Sequence, residues 1–406
     1  MLNIALLLVL IAPTVSQSLL DLSLTVIAVC FIHSLFKNKD QHTFQLRKIY
    51  FFEYGFVSYF LAIIAGFIAL QIYTQQAWMK LINFVWIFSF YTLTWAFSKV
   101  KIQPSSLLKV FTLGFLPTNI YALAFYFIGY DWIRRRVIDD RVIGFVNSAT
   151  YHAHLNALLI TFFCILAYYT LSKKNRLAQA LTVFSLLLMA SSLFLTYTRG
   201  AWISVILSLA IFLLIENRKY FFYFAAGLGT FFTILFNFST QFQNRILHSM
   251  NTLNADQERW NLIKVHFLMI KESPWFGIGY FDSLTHTRMW WPKLNLPIDS
   301  INSHAHNQIL NVFATTGLLG LIPFLLFYLG FFILNIKLVL KLKNNRNSDA
   351  YILSVSCLFT QLTFLISNLS DVGFEYAKVR TLILLTWSLV FYLWQDQSHK
   401  SSLKVN

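Results

Sequence analysis

From Ile309 to Leu334 the chain carries no charged residue. A run of that length fits a membrane-spanning helix, because lipid offers the backbone no hydrogen-bond partner and a helix satisfies its own. Comparable apolar windows fall near residues 2–17, 19–36, 50–73, 78–97, 107–129, 151–171, 177–197, 201–215, 220–238, 308–335, 351–369 and 380–395. They predict about twelve transmembrane helices, and hence an all-α polytopic integral membrane protein. Composition agrees: 57% of residues are hydrophobic and 12% charged, where a soluble domain carries roughly 25% charged residues. Met1 to Leu20 lacks a basic leader and runs at once into a second apolar window, so it reads as the first span and not as a cleaved signal peptide. Cys30, Cys164 and Cys357 all lie inside apolar windows and read as small core hydrophobes.

Charge sets the expected orientation. Lys37, Lys39, Arg47 and Lys48 form one basic connection, and Lys99, Lys101 and Lys109 the next. Lys173, Lys174 and Arg176, then Arg218 and Lys219, then Lys337, Lys341, Lys343 and Arg346 complete five. They alternate with connections that carry no base, such as 17–18 and 74–77, which predicts a cytoplasmic location for the five and for both termini. Three parts follow: residues 1–238 with spans one to nine, a large outer loop at 239–306, and residues 307–406 with the last three spans and a tail. Two outer segments break the charge rule. Residues 130–150 hold Arg134, Arg135, Arg136 and Arg141, and the large loop holds Arg245, Arg259, Lys264, Lys271, Arg288 and Lys293. Topology did not place these bases, and an anionic substrate would explain them. Within the loop, Asp256 to Ile270 reads as a helix capped by Asp256, with Trp260, Ile263, Phe267 and Ile270 on one surface-lying face.

The residues able to do chemistry gather at the outer ends of spans. His304, His306 and Asn307 stand at the mouth of the Ile309–Leu334 run. A histidine there can take a proton from a hydroxyl nucleophile. It can equally be an interfacial group bonded to headgroups or backbone. His-Ala-His also occurs at 152–154, which raises a metal site from His152, His154, His304 and His306, although no carboxylate neighbours them in sequence. Arg199 lies between two apolar windows with almost no loop, so it either snorkels to lipid phosphates or grips a substrate phosphate with its planar fork. Arg141 and Arg259 admit the same two readings. Asp371 opens the last outer turn, and a structural role is expected for it, as a helix cap or as the partner of an outer arginine. Gly317 and Gly320, three apart on a span, suggest a packing face.

His306-Asn307 followed after nine residues by Gly317-Leu318-Leu319-Gly320 resembles the signature of the O-antigen ligase and polymerase superfamily. So does Ser273-Pro274-Trp275-Phe276-Gly277-Ile278-Gly279-Tyr280-Phe281, which matches the family's Pro-x-Phe-Gly-x-Gly segment upstream of the His-Asn pair. Thr198-Arg199-Gly200-Ala201, Asp140-Arg141-Val142 and Asn368-Leu369-Ser370-Asp371-Val372 are similar to family segments at equivalent places. The resemblance implies a GT-C-like, all-helical membrane glycosyltransferase that inverts the anomeric centre. It implies transfer of O-antigen glycan from undecaprenyl diphosphate to a lipid A–core hydroxyl, at the periplasmic face of the bacterial inner membrane. It further implies His306 as base, Arg199, Arg259 and Arg141 on the diphosphate, and His304, Asn307 and Asp371 in support. No cofactor, metal, nucleotide or nucleic acid is expected; membrane lipids surround the chain.

Rival readings stay open. An O-antigen polymerase would join undecaprenyl-linked repeat units, but its Arg-x10-Gly spacing occurs only from Arg218 to Gly229, on the side expected to be cytoplasmic. A protein O-oligosaccharyltransferase would need room for a protein acceptor, and the tail after Asp371 is compact. A transporter of lipid-linked sugars would want ionisable groups at midplane. Asp21 and Glu53 are almost the only such groups in the apolar windows.

Overall fold

The computed structural model describes residues 2–37, 50–72, 81, 84–100, 102–138, 141–146, 148–171, 175–238, 240, 243, 253–280, 283–294 and 305–402. A helix occupies each of the twelve apolar windows. Ten of them are long and apolar enough to cross a membrane: Gln17–Phe36, Phe51–Ala69, Pro104–Ile128, Ala149–Thr170, Arg176–Phe194, Arg199–Glu216, Arg218–Phe238, Gln308–Leu342, Asp349–Ser367 and Ala377–Ser398. Leu2–Val15 and Val85–Lys99 have 14 and 15 residues. At about 1.5 Å per residue they fall short of the roughly 30 Å that a hydrocarbon core demands. Against the expectation of about twelve spans, ten helices meet the length among the described residues, and the chain is a multi-pass membrane protein.

Aromatic packing holds the bundle together. Helix Phe51–Ala69 runs along helix Gln308–Leu342, and Phe52, Phe56, Phe90, Phe331, Trp387 and Phe391 are all fully buried around that contact. Phe331 stacks on Trp387 with centroids 4.8 Å apart, and Phe52 meets Phe391 edge-on at 5.2 Å. Gly55 allows this approach, since a Cβ there would strike the backbone of Pro323 and Phe327. Small residues at such crossings let two backbones close up, which is how helices gain packing energy where water supplies no drive. Leu61, Ile68, Leu113, Leu214 and Ile322 are exposed on the bundle surface, as lipid-facing residues should be. Glu53 is not a midplane charge. It lies in the first turn of its helix, accepts the Tyr50 N–H at 2.8 Å and receives the Tyr91 hydroxyl at 3.0 Å.

The helix expected at 256–270 runs from Leu253 to Glu272. Asp256 therefore sits within it, not ahead of it as a cap. Trp260 and Phe267 are exposed as expected, whereas Ile270 turns inward with Leu262, Val265 and Met269 against Ala314 and Trp291.

Gly317 does more than pack. It breaks helix Gln308–Leu342 with φ 63° and ψ −168°. The groups freed by the break are taken up by the Pro274–Gly279 segment. Ile278 N–H donates to Ala314 O at 3.0 Å and Gly279 N–H to Thr315 O at 3.1 Å, while Pro274 O and Trp275 O accept from Leu318 and Leu319. Loop and helix are spliced backbone to backbone. A Cβ on Gly277 would collide with Thr315 and Thr316, and one on Gly317 with Trp275 and Phe276.

Candidate active site

Four connecting segments converge at one end of the bundle, and side-chain bonds show how. Arg141 donates from Nε to Thr196 O at 2.6 Å and from Nη2 to Thr198 Oγ1 at 2.9 Å. This fastens the 141–146 segment to the turn before helix Arg199–Glu216. Gly200, next to Arg199, lies so close to Ser370 that a Cβ would overlap the serine side chain. Asn307 caps helix Gln308–Leu342 by accepting the Leu310 N–H at 2.9 Å, and its amide donates to Leu369 O at 3.2 Å. Gln308 N–H donates to Asn368 O, and Phe374 N–H donates to the Gln308 side chain. The last outer turn, 368–376, is thus the hub on which the other segments rest.

Asp371 occupies its centre. Its side chain is 4% exposed, and Oδ2 lies 2.9 Å from His154 Nε2, itself 1% exposed. Oδ1 accepts the Val372 N–H at 2.8 Å and stands 3.8 Å from His306 Nδ1, an ion-pair separation longer than a hydrogen bond. Burial works against a charged Asp371. The hydrogen bond with His154, the nearby His306 imidazole and the Val372 N–H outweigh it and hold the carboxyl well below the usual carboxylate range. Burial and the adjoining Asp371 charge push the Tyr376 phenol up. The expectation that Asp371 caps a helix or pairs with an outer arginine is corrected: its partners are two histidines, reached from 217 residues upstream in one case.

His306 keeps 23% of its side chain exposed and adopts φ 48°, a left-handed conformation that costs energy in a non-glycine residue. It opens onto a cavity of about 560 Å³ shared with Arg259, Ile263, Phe267, Phe313, Leu369 and Ser370. Arg259, Ile263 and Phe267 come from successive turns of helix Leu253–Glu272, so one stripe of that helix is apolar with a guanidinium at its end.

Arg199 was expected at a buried depth, but it is exposed. It is the first residue of helix Arg199–Glu216. It lines a second cavity of about 480 Å³ with Trp202, Ile203, Phe232, Thr233, Phe236 and Asn237. Trp202 and Phe232 also border an apolar groove of about 920 Å³ that descends between the helices at 176–194, 199–216 and 218–238. Among the described residues neither Arg199 nor Arg259 has a carboxylate partner. Arg141 reaches the same region but spends its fork on Thr196 and Thr198. The outer bases 134 and 136 are explained without a ligand: Arg134 donates to Phe145 O and Val146 O, and Arg136 pairs with Asp131 at 3.5 Å.

His304 lies outside the described residues. His152 and His154 face opposite sides of their helix: His152 bonds Ser192 Oγ at 2.8 Å and the Asn156 amide at 2.9 Å, whereas His154 meets Asp371. A four-histidine metal site would need both on one side, and among the described residues no group of three potential ligands gathers. The residue that sequence reasoning passed over is His154. Its signal was the repeated His-Ala-His, read only as a metal question.

A comparison with curated proteins gives no match. Residues 184–325 match the family model described as O-Antigen ligase. That stretch contains Arg199, Arg259, the Pro274–Gly279 splice and His306, whereas Arg141, His154 and Asp371 lie beyond its ends. This match, over 142 of the 406 residues, supports a member of the O-antigen ligase/polymerase superfamily, a group of glycosyltransferase-type membrane enzymes.

Proposed function

We propose that this protein transfers O-antigen glycan from undecaprenyl diphosphate to a lipid A–core hydroxyl, at the periplasmic face of the bacterial inner membrane. The observation that carries the reading is His306, backed by an ionised Asp371 and opening onto a cavity that also holds Arg259. Asp371 faces His306 Nδ1 and leaves Nε2 for the acceptor. As the hydroxyl oxygen bonds to the anomeric carbon, its proton passes to Nε2. The bond from anomeric carbon to phosphate oxygen breaks on the opposite face, and its electron pair stays with the diphosphate. Attack opposite the leaving group inverts the centre.

The departing diphosphate gains charge, and fixed cations stabilise it most in the transition state. Arg199 and Arg259 supply guanidiniums, and helix Arg199–Glu216 begins with no side-chain cap on its N–H groups. Arg141 contributes by holding the turn that presents Arg199. The sugar–phosphate bond is already activated, so neither nucleotide nor metal is required. The apolar groove near Arg199 suits a polyprenyl tail, and its volume and lining support a lipid donor.

The test uses full-length protein purified in lipid nanodiscs with EDTA, undecaprenyl diphosphate–glycan, and lipid A–core either present or absent. Glycosylated lipid A–core is the expected product, and His306→Ala should lower its formation at least about a thousandfold while the protein stays folded. Longer undecaprenyl-linked glycan, formed without lipid A–core, would instead identify a polymerase. A His306→Ala variant with normal turnover would overturn both.

A further inference from the structure

We infer that His154 is a positioning residue for glycan transfer, acting on His306 through Asp371. The inference rests on the proposed function above. His154 comes from helix Ala149–Thr170, whose start is fixed by Ser148 accepting the Tyr151 N–H at 3.1 Å. Tyr151 and His154 share one face of that helix, and the face is docked on the hub turn. Tyr151 stacks on Tyr376 with centroids 4.7 Å apart and planes 15° apart, and its hydroxyl accepts the Lys378 N–H at 2.8 Å. The imidazole is therefore placed by helix, stack and hydrogen bond before it reaches Asp371.

Which ring nitrogen donates follows from what surrounds it. His154 Nδ1 is buried and has no partner among the described residues. A bare ring nitrogen tolerates that position better than an N–H, which would lose a hydrogen bond outright. Nε2–H is then the donor, and it gives a hydrogen bond to Asp371 Oδ2. Asp371 then has one oxygen bound to His154 and the other shared between the Val372 N–H and His306. Remove the His154 donor, and the buried carboxylate loses the bond at Oδ2 and keeps only the Val372 N–H and the neighbouring Tyr376 hydroxyl as donors besides His306. The carboxylate must turn or take a proton, and in either case it no longer aligns His306. His154 and Asp371 are buried behind His306, so the effect falls on turnover and not on binding.

The experiment measures kcat and KM in nanodiscs for wild type, His154→Leu, His154→Gln, Asp371→Asn and the His154→Leu/Asp371→Asn double variant, with thermal unfolding as a check on folding. His154→Leu should lower kcat by roughly ten- to a hundredfold with both KM values within about twofold. Gln, which offers an N–H to the same oxygen, should recover most of the loss. In the Asp371→Asn background the leucine change should cost no more than about twofold further, because both act on one device. Should the leucine variant fail to fold, His154→Phe keeps the ring volume without the donor. A folded variant with unchanged kcat, or fully additive losses in the double variant, would overturn the inference. Absence of any transfer by wild type would instead strike the proposed function, and an active wild type with an inactive His306→Ala leaves the two distinguishable.

Discussion

Arg199 and Arg141 bear the same charge and differ in what their forks already hold. Arg141 binds a backbone carbonyl and a threonine hydroxyl on the turn before Arg199. Arg199 projects into a cavity without a carboxylate partner among the described residues. A guanidinium in that position binds phosphate with two parallel N–H groups, which a lysine ammonium cannot reproduce. Arg199→Lys should lower kcat/KM for the lipid donor by roughly ten- to a hundredfold, the cost of about one charged hydrogen bond. Steady-state assay with wild-type and variant protein checks this, and equal values would remove Arg199 from the diphosphate site. His306, Asn307 and Arg199 were legible in sequence because they stand beside long apolar windows. The role of Asp371 was not, since its partner His154 is 217 residues away and a lone aspartate before a span looks like a cap. Arg134 and Arg136 misled for the opposite reason: their partners are backbone carbonyls, which no pattern of side chains reveals.

Helix Gln308–Leu342 was read as one uninterrupted span, and the uncharged run justified that. Charge and hydropathy say nothing about a break whose backbone groups are satisfied by another segment. The motif resemblance put Pro274–Gly279 and Gly317 in one family signature, and the structure gives the physical reason: each glycine occupies the space where the other segment's backbone passes. Gly317 also adopts a φ and ψ combination that is essentially closed to residues with a Cβ. Gly317→Ala should destabilise the protein by about 2–4 kcal/mol through strain and overlap. Thermal unfolding in detergent would show a clear drop in midpoint, while Gly227→Ala, where a Cβ meets nothing, should leave it nearly unchanged. The amphipathic helix at 253–272 was legible from its period. Its inward residue Ile270 was assigned to the wrong face because a helix pinned between loop and bundle buries more than one stripe.

The bundle separates two cavities around the hub turn. Arg199 stands at the top of the large apolar groove, and His306 opens onto the smaller cavity with Arg259. A donor tail lying in the groove would bring its diphosphate to Arg199, and the acceptor would approach from the other cavity. Ala190 borders the groove. Ala190→Trp should raise KM at least about tenfold for a donor with a full polyprenyl chain and have little effect on one with a short chain. Equal KM changes for both would place the tail elsewhere. Span positions and bundle class were readable from composition, whereas the cavities depend on helix tilts that no window average records. The splice between Pro274–Gly279 and the broken helix has a practical outcome for anyone exchanging parts between relatives. A chimera that imports the large loop alone would mate one parent's carbonyls with the other's amides. Donor residues 274–279 and 314–319 should therefore travel together, as a single inherited cassette.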